Sequence, residues 1–209
     1  MIKEACCESF IEGINAESLG ANRIELCSRL DLDGLTPEYN ELKESIKFMS
    51  IPVFPMIRPR EGNFIYNKKE KDKMVQDIYN FKELGVQGIV IGALTNKNEI
   101  DMEFMKKVRK ICDGISITFH KAIDEVKDYH KEVEKLIEIG IDRVLTSGKK
   151  EKVEDAIGFL KTTNRLYGDK IKFVAAGKIT KDNLESINRK LEFEEYHGKL
   201  IVGYIKKWG

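Results

Sequence analysis

The chain has 209 residues, of which 42% are hydrophobic and 34% are charged, and 36 basic and 35 acidic side chains leave a formal net charge of +1. This near balance of charge gives no indication of a broad nucleic-acid surface or of a patch for anionic membranes. No stretch approaches the ~20 apolar residues of a membrane helix, and the opening MIKEACCESF carries no secretory signal. We therefore expect a cytoplasmic protein with reduced cysteines and with no nucleic-acid or membrane partner.

Predicted strands and helices alternate along the chain. The strands are expected at residues 2–6, 23–27, 51–60, 88–91, 115–120, 143–146, 171–175 and 193–197. The helices are expected at about 9–19, 36–49, 68–84, 101–112, 128–139, 149–166 and 180–188. Ser9 with Glu12 has the pattern of a capping box, Thr36 followed by Pro37 suits a helix start, and Thr180 suits a helix cap.

A short segment recurs at three of the predicted helix ends. It reads LGANRI at residues 19–24, LGVQGI at 84–89 and IGIDRV at 139–144. Each copy combines a helix end, a glycine, a turn and a new strand, which indicates successive βα units and a parallel sheet. An open doubly wound sheet is the alternative. Eight units without a dinucleotide-binding glycine motif favour a single (β/α)8 TIM-type barrel over residues 1–209.

The predicted barrel lacks length for an eighth helix, because the sequence stops at Gly209. We expect this helix to be short or missing. The gap it leaves is then closed either by a partner subunit, which predicts a homodimer, or by a rearranged C-terminal tail.

The segment SITFHKAID at residues 116–124 predicts where a site lies. Polar and apolar side chains alternate in it as far as His120, the first of three histidines. This period of two is typical of a barrel strand whose apolar face packs on helices and whose polar end opens onto a site. The same pattern at the ends of other strands yields further candidates: Glu4, Cys6, Glu25, Cys27, Met56, Arg58, Arg60, Thr118, Asp124 and Ser147. The sequence therefore predicts a polar site at the C-terminal mouth of the barrel.

The four cysteines each have a structural interpretation beside a functional one. A strand cysteine is usually a small apolar filler, and Cys7 and Cys112 are expected to be packing residues. Cys6 and Cys27 lie on neighbouring predicted strands, so they are either packing residues or a pair of metal ligands.

The charged candidates are open to the same choice. His120 is either a site residue or a core histidine with its hydrogen bonds satisfied. A buried carboxylate needs a partner, and Arg58 is the expected partner of Glu4 or Glu25, in an ion pair that is either structural or part of the site.

Six segments of the chain resemble the CutC family, which is named for copper homeostasis. They are EACC, GANRIELC, GLTP, IPVFPMIRPR, TFHKAID and RVLTSG, and the resemblance extends from the N-terminus to about Asn183–Leu184. The resemblance implies a cytoplasmic TIM-type barrel associated with copper tolerance, with Cys6 and Cys27 as the Cu(I) ligands. It places the family's polar mouth on Glu4, Glu25, Arg58, Arg60, His120 and Asp124, and it makes His197 the counterpart of a histidine in the family's last strand.

Two departures from the family pattern stand out. The turn after the seventh strand is where barrels often bind a phosphate. Lys178 occupies a position in this turn where the family has glycine, so an anion site like the family's is in doubt here. The longer C-terminal tail of many relatives is absent from this sequence.

Two functional hypotheses from different classes follow. In the first, the protein binds Cu(I) through the two thiols, with Met56 or His120 nearby, and Arg58 and Arg60 lower the pKa of both thiols. In the second, the protein is a barrel enzyme acting on a small phosphorylated or carboxylated molecule.

The enzyme hypothesis assigns a role to each polar candidate. The acid–base groups would be Glu25, His120 and Asp124, and the substrate would be bound by Glu4, Arg58, Arg60, Ser147 and His197. Nuclease activity is a third idea, and the near-neutral charge argues against extended binding of nucleic acid.

Overall fold

The chain forms a closed barrel of eight parallel strands, in agreement with the fold expected from the sequence. The structure, a computed structural model, describes residues 1–206. The strands are β1 (Ile2–Cys7), β2 (Arg23–Leu26), β3 (Val53–Ile57), β4 (Gly88–Ile91), β5 (Ser116–Phe119), β6 (Arg143–Thr146), β7 (Lys172–Ala175) and β8 (Glu195–Gly198). Each strand pairs in parallel with the next, and β8 pairs with β1 to close the barrel. The closed ring excludes the open doubly wound sheet.

Helices follow the first seven strands. They are α1 (Phe10–Ser18), α2 (Tyr39–Phe48), α3 (Lys68–Glu83), α4 (Met102–Ile111), α5 (Tyr129–Glu138), α6 (Ile157–Tyr167) and α7 (Leu184–Leu191). Within residues 1–206 no helix is both long enough and apolar enough to cross a bilayer.

The predicted N-cap of α1 at Ser9 is confirmed, whereas α2 and α7 begin later than the sequence predicted. Ser9 does accept a hydrogen bond from the Glu12 amide, but the Glu12 carboxylate accepts from the amide of Glu8. Thr36 binds the backbone of Arg58 at the end of β3, so α2 begins only at Tyr39. The predicted cap at Thr180 was wrong, because α7 begins at Leu184.

The two faces of the strands differ as their period of two predicted. One face packs outward against the helices, and its side chains belong to the main apolar core, which includes Ile24, Ile89 and Phe119. The other face fills the barrel, where Cys6, Cys27, Phe54, Met56 and Val90 form a small cluster of their own. This inward parity carries the polar candidates to the mouth.

The C-terminal tail takes the place of an eighth helix. Among the described residues, those after β8 are not helical, and Ile201, Val202 and Ile205 are buried in the main core. The side-chain amide of Asn15 in α1 binds the tail by donating to the Lys206 carbonyl at 3.0 Å. A rearranged tail thus fills the gap, as one of the two alternatives predicted, and the homodimer stays a prediction.

An ion-pair network that the sequence analysis missed fills the other end of the barrel. Arg23 donates to both Glu4 and Glu195, and all three side chains are buried. Arg143 donates to Glu195 at 3.0 Å and also to Ser116. The Arg23 guanidinium lies over the Phe54 ring at 5.1 Å. Two carboxylates and two guanidiniums therefore compensate one another below the site.

Candidate functional site

A cavity of about 980 Å³ opens at the C-terminal ends of the strands. Seven of the predicted site residues contribute to its wall: Cys6, Glu25, Met56, Arg58, His120, Asp124 and His197. Leu30, Phe64 and Leu145 join Met56 in the apolar parts of the wall. The barrel mouth is thus the location at which these strand ends converge, as parallel strands require.

The thiols of Cys6 and Cys27 face each other inside the mouth. Their Sγ atoms are 3.8 Å apart, and the Cys6 thiol donates to Glu25 Oε2 at 3.0 Å. Cys27 is covered by the loop after β2, where Gly34 has a φ of +83° and a Cβ atom would lie 3.1 Å from the Cys27 sulfur. Glycine at this position lets the backbone close over the thiol. Cys6 therefore provides the pair's contact with the cavity.

The protonation state of the thiols differs from the expectation. The hydrogen bond with Cys27 and then burial raise the pKa of Cys6 well above its ordinary value. The hydrogen bond with Cys6 lowers the pKa of Cys27, but burial and the Glu25 carboxylate outweigh it and raise that pKa to about 11. The predicted lowering of both values by Arg58 and Arg60 was wrong, because the thiols face each other and a carboxylate instead.

His197 lies between two buried carboxylates. Its Nδ1 is 2.8 Å from Glu4 Oε1, and its Nε2 is 3.6 Å from Glu25 Oε2. Burial alone would lower the pKa of His197, but the charges of Glu25 and Glu4 and a hydrogen bond with Cys6 raise it well above its ordinary value. Burial raises the pKa of Glu25, and the charge of His197 opposes this effect. The charge of His197 therefore favours the ionised form of Glu25, and Glu4 holds His197 in this position.

Glu4 itself lies beneath the cavity and does not take the substrate-binding position predicted for it. Its side chain is fully buried and is held by Arg23 and His197. The expected partner Arg58 is engaged elsewhere, so the prediction of an ion pair between Arg58 and either Glu4 or Glu25 was wrong. The reason is that Arg23 enters the barrel on the strand next to Glu4, with which it is in register.

Arg58 is buried and grips the backbone of two loops. Its Nη1 donates to the carbonyls of Leu32, Asp33 and Gly34 at 3.1–3.3 Å, and its Nη2 donates to the Gly62 carbonyl at 3.0 Å. Its guanidinium carbon also lies 4.9 Å from the centroid of the Phe64 ring. Arg58 therefore shapes the rim of the cavity while its charge remains inside the mouth.

His120 is a buried histidine at the end of β5. Its Nδ1 accepts a hydrogen bond from the Ala122 amide at 3.2 Å, so the ring proton lies on Nε2. Burial and then the charge of Arg58 lower the pKa of His120 to about 3. The imidazole is neutral near pH 7, and this geometry favours a hydrogen-bond donor over the acid–base group that was predicted.

Asp124 joins the loops after β5 and β6 and is occupied by four donors. Its carboxylate accepts from Thr146 Oγ1, from Ser147 N and Oγ, and from Lys149 N, at 2.6–3.0 Å. Ser147 is buried in this contact, so it lies behind the cavity wall and not in the predicted substrate-binding position. Both residues hold the mouth in shape.

Arg60 points away from the mouth, which corrects its predicted role in binding an anion. Its Nε donates to Glu70 at 2.6 Å near the start of α3, and its guanidinium lies over Tyr66 at 5.2 Å. Its remaining donors bind the loop between β3 and α3. The sequence analysis extended the alternation of the strand to Arg60, but β3 ends at Ile57. Beyond that residue the alternation no longer predicts which way a side chain points.

Phe64 is a site residue that the sequence analysis missed. Its ring packs against the Arg58 guanidinium and against the His120 imidazole. The centroids of the Phe64 and His120 rings are 4.7 Å apart. The only signal was an aromatic residue in the loop EGNFIYN, which alternation cannot assign to a face. The resulting mouth combines soft sulfur ligands, a buried carboxylate and two nitrogen donors, an arrangement suited to a metal ion or to a small polar ligand.

Comparison with known proteins identifies a family. The family model described as the CutC family matches residues 1–202. The CutC family protein of Histophilus somni is 37% identical over 194 residues, which cover 93% of this chain and 80% of that protein. The human copper homeostasis protein cutC homolog is 38% identical over 196 residues, which cover 94% and 72%.

Solved structures agree with this result. The crystal structure of CutC from Streptococcus agalactiae has a TM-score of 0.92 and 30% identity, covering 96% of this chain and 99% of that one. The aldolase QR15 has a TM-score of 0.70 at 16% identity, a likeness that concerns the fold alone.

Proposed function

The chain belongs to the CutC family, and we propose that it is a copper homeostasis protein that binds Cu(I) through Cys6 and Cys27. The observation that carries the proposal is the distance of 3.8 Å between the two sulfurs at the mouth of the barrel. A metal–thiolate bond of about 2.3 Å lets one ion contact both sulfurs without a change of the backbone.

The chemistry of the donor set fits Cu(I). Thiolate and thioether are the soft ligands that select this ion, and Met56 packs in the same cluster as both cysteines. Carboxylate and imidazole ligands are also at hand, because Glu25 belongs both to a group with the two thiols and to a group with Glu4 and His197. The copper ion is the cargo that the protein would carry or sequester.

The raised pKa values bear on how the ion enters. Both thiols are protonated near pH 7, so Cu(I) binding must release their protons. Glu25 Oε2 already accepts a hydrogen bond from the Cys6 thiol, so it is placed to take up the proton that this thiol releases. A pair of neutral thiols is also the form that burial without a metal favours.

The proposal includes a cytoplasmic location, since thiols that serve as ligands need a reducing compartment. All four cysteines are unbonded and buried. A homodimer is proposed with it, and sedimentation velocity at micromolar concentration tests that part: a compact monomer would contradict it.

An anaerobic Cu(I) titration against a competing chelator tests the central proposal. Wild type is expected to bind close to one equivalent tightly, and the variant C6A/C27A is expected to lose that binding. The matched control is C7A/C112A, which also removes two buried thiols but from the outward-facing core. Binding that survives in C6A/C27A, or that is lost equally in the control, would refute the assignment.

A further inference from the structure

The mouth of the barrel contains buried polar atoms that no neighbour satisfies. Among residues 1–206, Glu25 Oε1, Arg58 Nε and His120 Nε2 have no hydrogen-bond partner. All three side chains are at most 5% exposed, and all three line the same cavity. A buried polar group without a partner costs stability, so such a cluster marks a place where a ligand supplies the missing bonds.

Arg58 contributes an uncompensated charge to this cluster. Its four terminal contacts are backbone carbonyls, and within the described chain it forms no salt bridge with a carboxylate. The buried Arg23 differs, since it has Glu4 and Glu195. The guanidinium also contacts the Phe64 ring and interacts with the Tyr66 hydroxyl, but neither group is a carboxylate. A buried guanidinium without a carboxylate partner attracts an anion, and its Nε–H, which has no hydrogen-bond acceptor in the described chain, provides the donor.

His120 supplies a second donor beside Arg58. The strand registers pair Ile57 with Ile91 and Ile91 with Phe119, so the residues that follow them, Arg58, Gly92 and His120, come next in the same row. Gly92 lets the His120 ring pack directly against the backbone of this row, because a Cβ atom there would lie 2.6 Å from the ring. Phe64 supports the guanidinium and the imidazole from one side.

We propose that the cavity binds a small carboxylate that carries a hydroxyl group on the neighbouring carbon, a 2-hydroxy acid. One unpaired positive charge and two free N–H donors match one carboxylate, which has one negative charge and two acceptor oxygens. A phosphate dianion would bring a second charge and a third oxygen without a partner. The hydroxyl group serves Glu25 Oε1, since it can donate to a carboxylate and accept from a carboxylic acid. This site does not use the two thiols, and it shares only Glu25 with the surroundings of the proposed copper site.

The test compares ligands that differ by one group, using the full chain with no added metal. Isothermal titration calorimetry and thermal unfolding are measured with lactate, propionate and inorganic phosphate. Lactate is expected to bind about fivefold tighter than propionate, from one added hydrogen bond, and phosphate is expected to bind more weakly than lactate. Equal affinity for lactate and propionate would overturn the hydroxyl assignment. Tighter binding of phosphate, or no binding of either acid, would overturn the carboxylate site.

Variants locate the site. His120→Phe keeps a ring on Phe64 and removes the Nε2–H donor, and it is expected to weaken lactate about tenfold or more. The matched control is His130→Phe, at a histidine of α5 outside the cavity wall, and it should leave the affinity unchanged. Unchanged affinity in His120→Phe would refute the proposal. If that variant does not fold, the ligand comparison on the wild type still decides the question.

Discussion

The substitution Arg23→Met probes the ion-pair network beneath the site. Methionine has a similar length and no charge, so it fills the space next to Phe54 but leaves Glu4 and Glu195 buried without their common partner. Removing one member of a buried ion pair costs about 3–5 kcal/mol in the free energy of unfolding. We expect a loss of this size at pH 7, a large part of the stability of an ordinary domain.

The pKa of Glu4 provides a second measure of the same interaction. Burial alone would raise it, but the charge of Arg23 and then the contacts with His197 lower it from 4.5 to about 2. At about 1.4 kcal/mol for each pKa unit, the shift corresponds to about 3 kcal/mol of stability. Because the folded pKa is the lower one, this contribution is present above pH 4.5 and is lost as pH falls toward 2.

The variant should have the opposite dependence on pH. Without Arg23, the effect of burial is less opposed and the pKa of Glu4 rises above its wild-type value. As pH falls, Glu4 of the variant therefore becomes protonated sooner, which removes the cost of its buried charge. The stability difference between wild type and variant is therefore expected to be largest at pH 7 and smaller at mildly acid pH.

Urea unfolding followed by circular dichroism at several pH values measures both effects. The matched control is Arg29→Met, which removes an exposed ion pair with Asp31 and should change stability little. A loss below about 1 kcal/mol in Arg23→Met, or a loss of equal size at all pH values, would refute the reasoning.

Two further substitutions test the loops that hold the mouth. Lys178→Gly should stabilise the protein by about 1 kcal/mol, measured by urea unfolding, because Lys178 has a φ of +58°, a conformation that costs side chains other than glycine about 1–2 kcal/mol. Asp124→Asn should destabilise it by about 2–3 kcal/mol in the same assay, because an amide NH₂ group would face donors that now bind two carboxylate oxygens.

Each of these predictions has its own control. Lys178→Ala retains the left-handed backbone and should give no comparable gain, and an equal gain in both variants would exclude the backbone as the cause. Glu125→Gln changes an exposed acid beside Asp124 and should be close to neutral. If Asp124→Asn were also neutral, the four hydrogen bonds would not support the loops as inferred.

Local chemistry determined much of the fold. The three helix–glycine–strand segments predicted parallel units, and the glycines Gly20, Gly85 and Gly140 all have the positive φ that such helix ends require. The alternation in SITFHKAID assigned Thr118 and His120 to the interior before any contact was known. Such signals depend only on neighbouring residues, so a single sequence carries them.

The candidate site was predictable in location but not in its pairing. The inward parity brought Cys6, Glu25, Arg58 and His120 to one cavity, as expected. His197 was assigned only through the resemblance to a family, since nothing near it in the chain distinguishes it from a surface histidine. The resemblance also indicated Lys178 as a place where glycine is usual, and its positive φ supplies the physical reason.

The sequence alone determined the order of the strands, the faces of their side chains and the end of the barrel at which polar groups collect. Only the tertiary structure decided which charges meet. Glu4 pairs with Arg23 and His197, from positions 19 and 193 residues away. Arg58 donates to loop carbonyls, and Arg60 lies outside the mouth and donates to Glu70. The physical reason is that alternation is a property of one strand, whereas partners across a barrel depend on register, loop paths and burial.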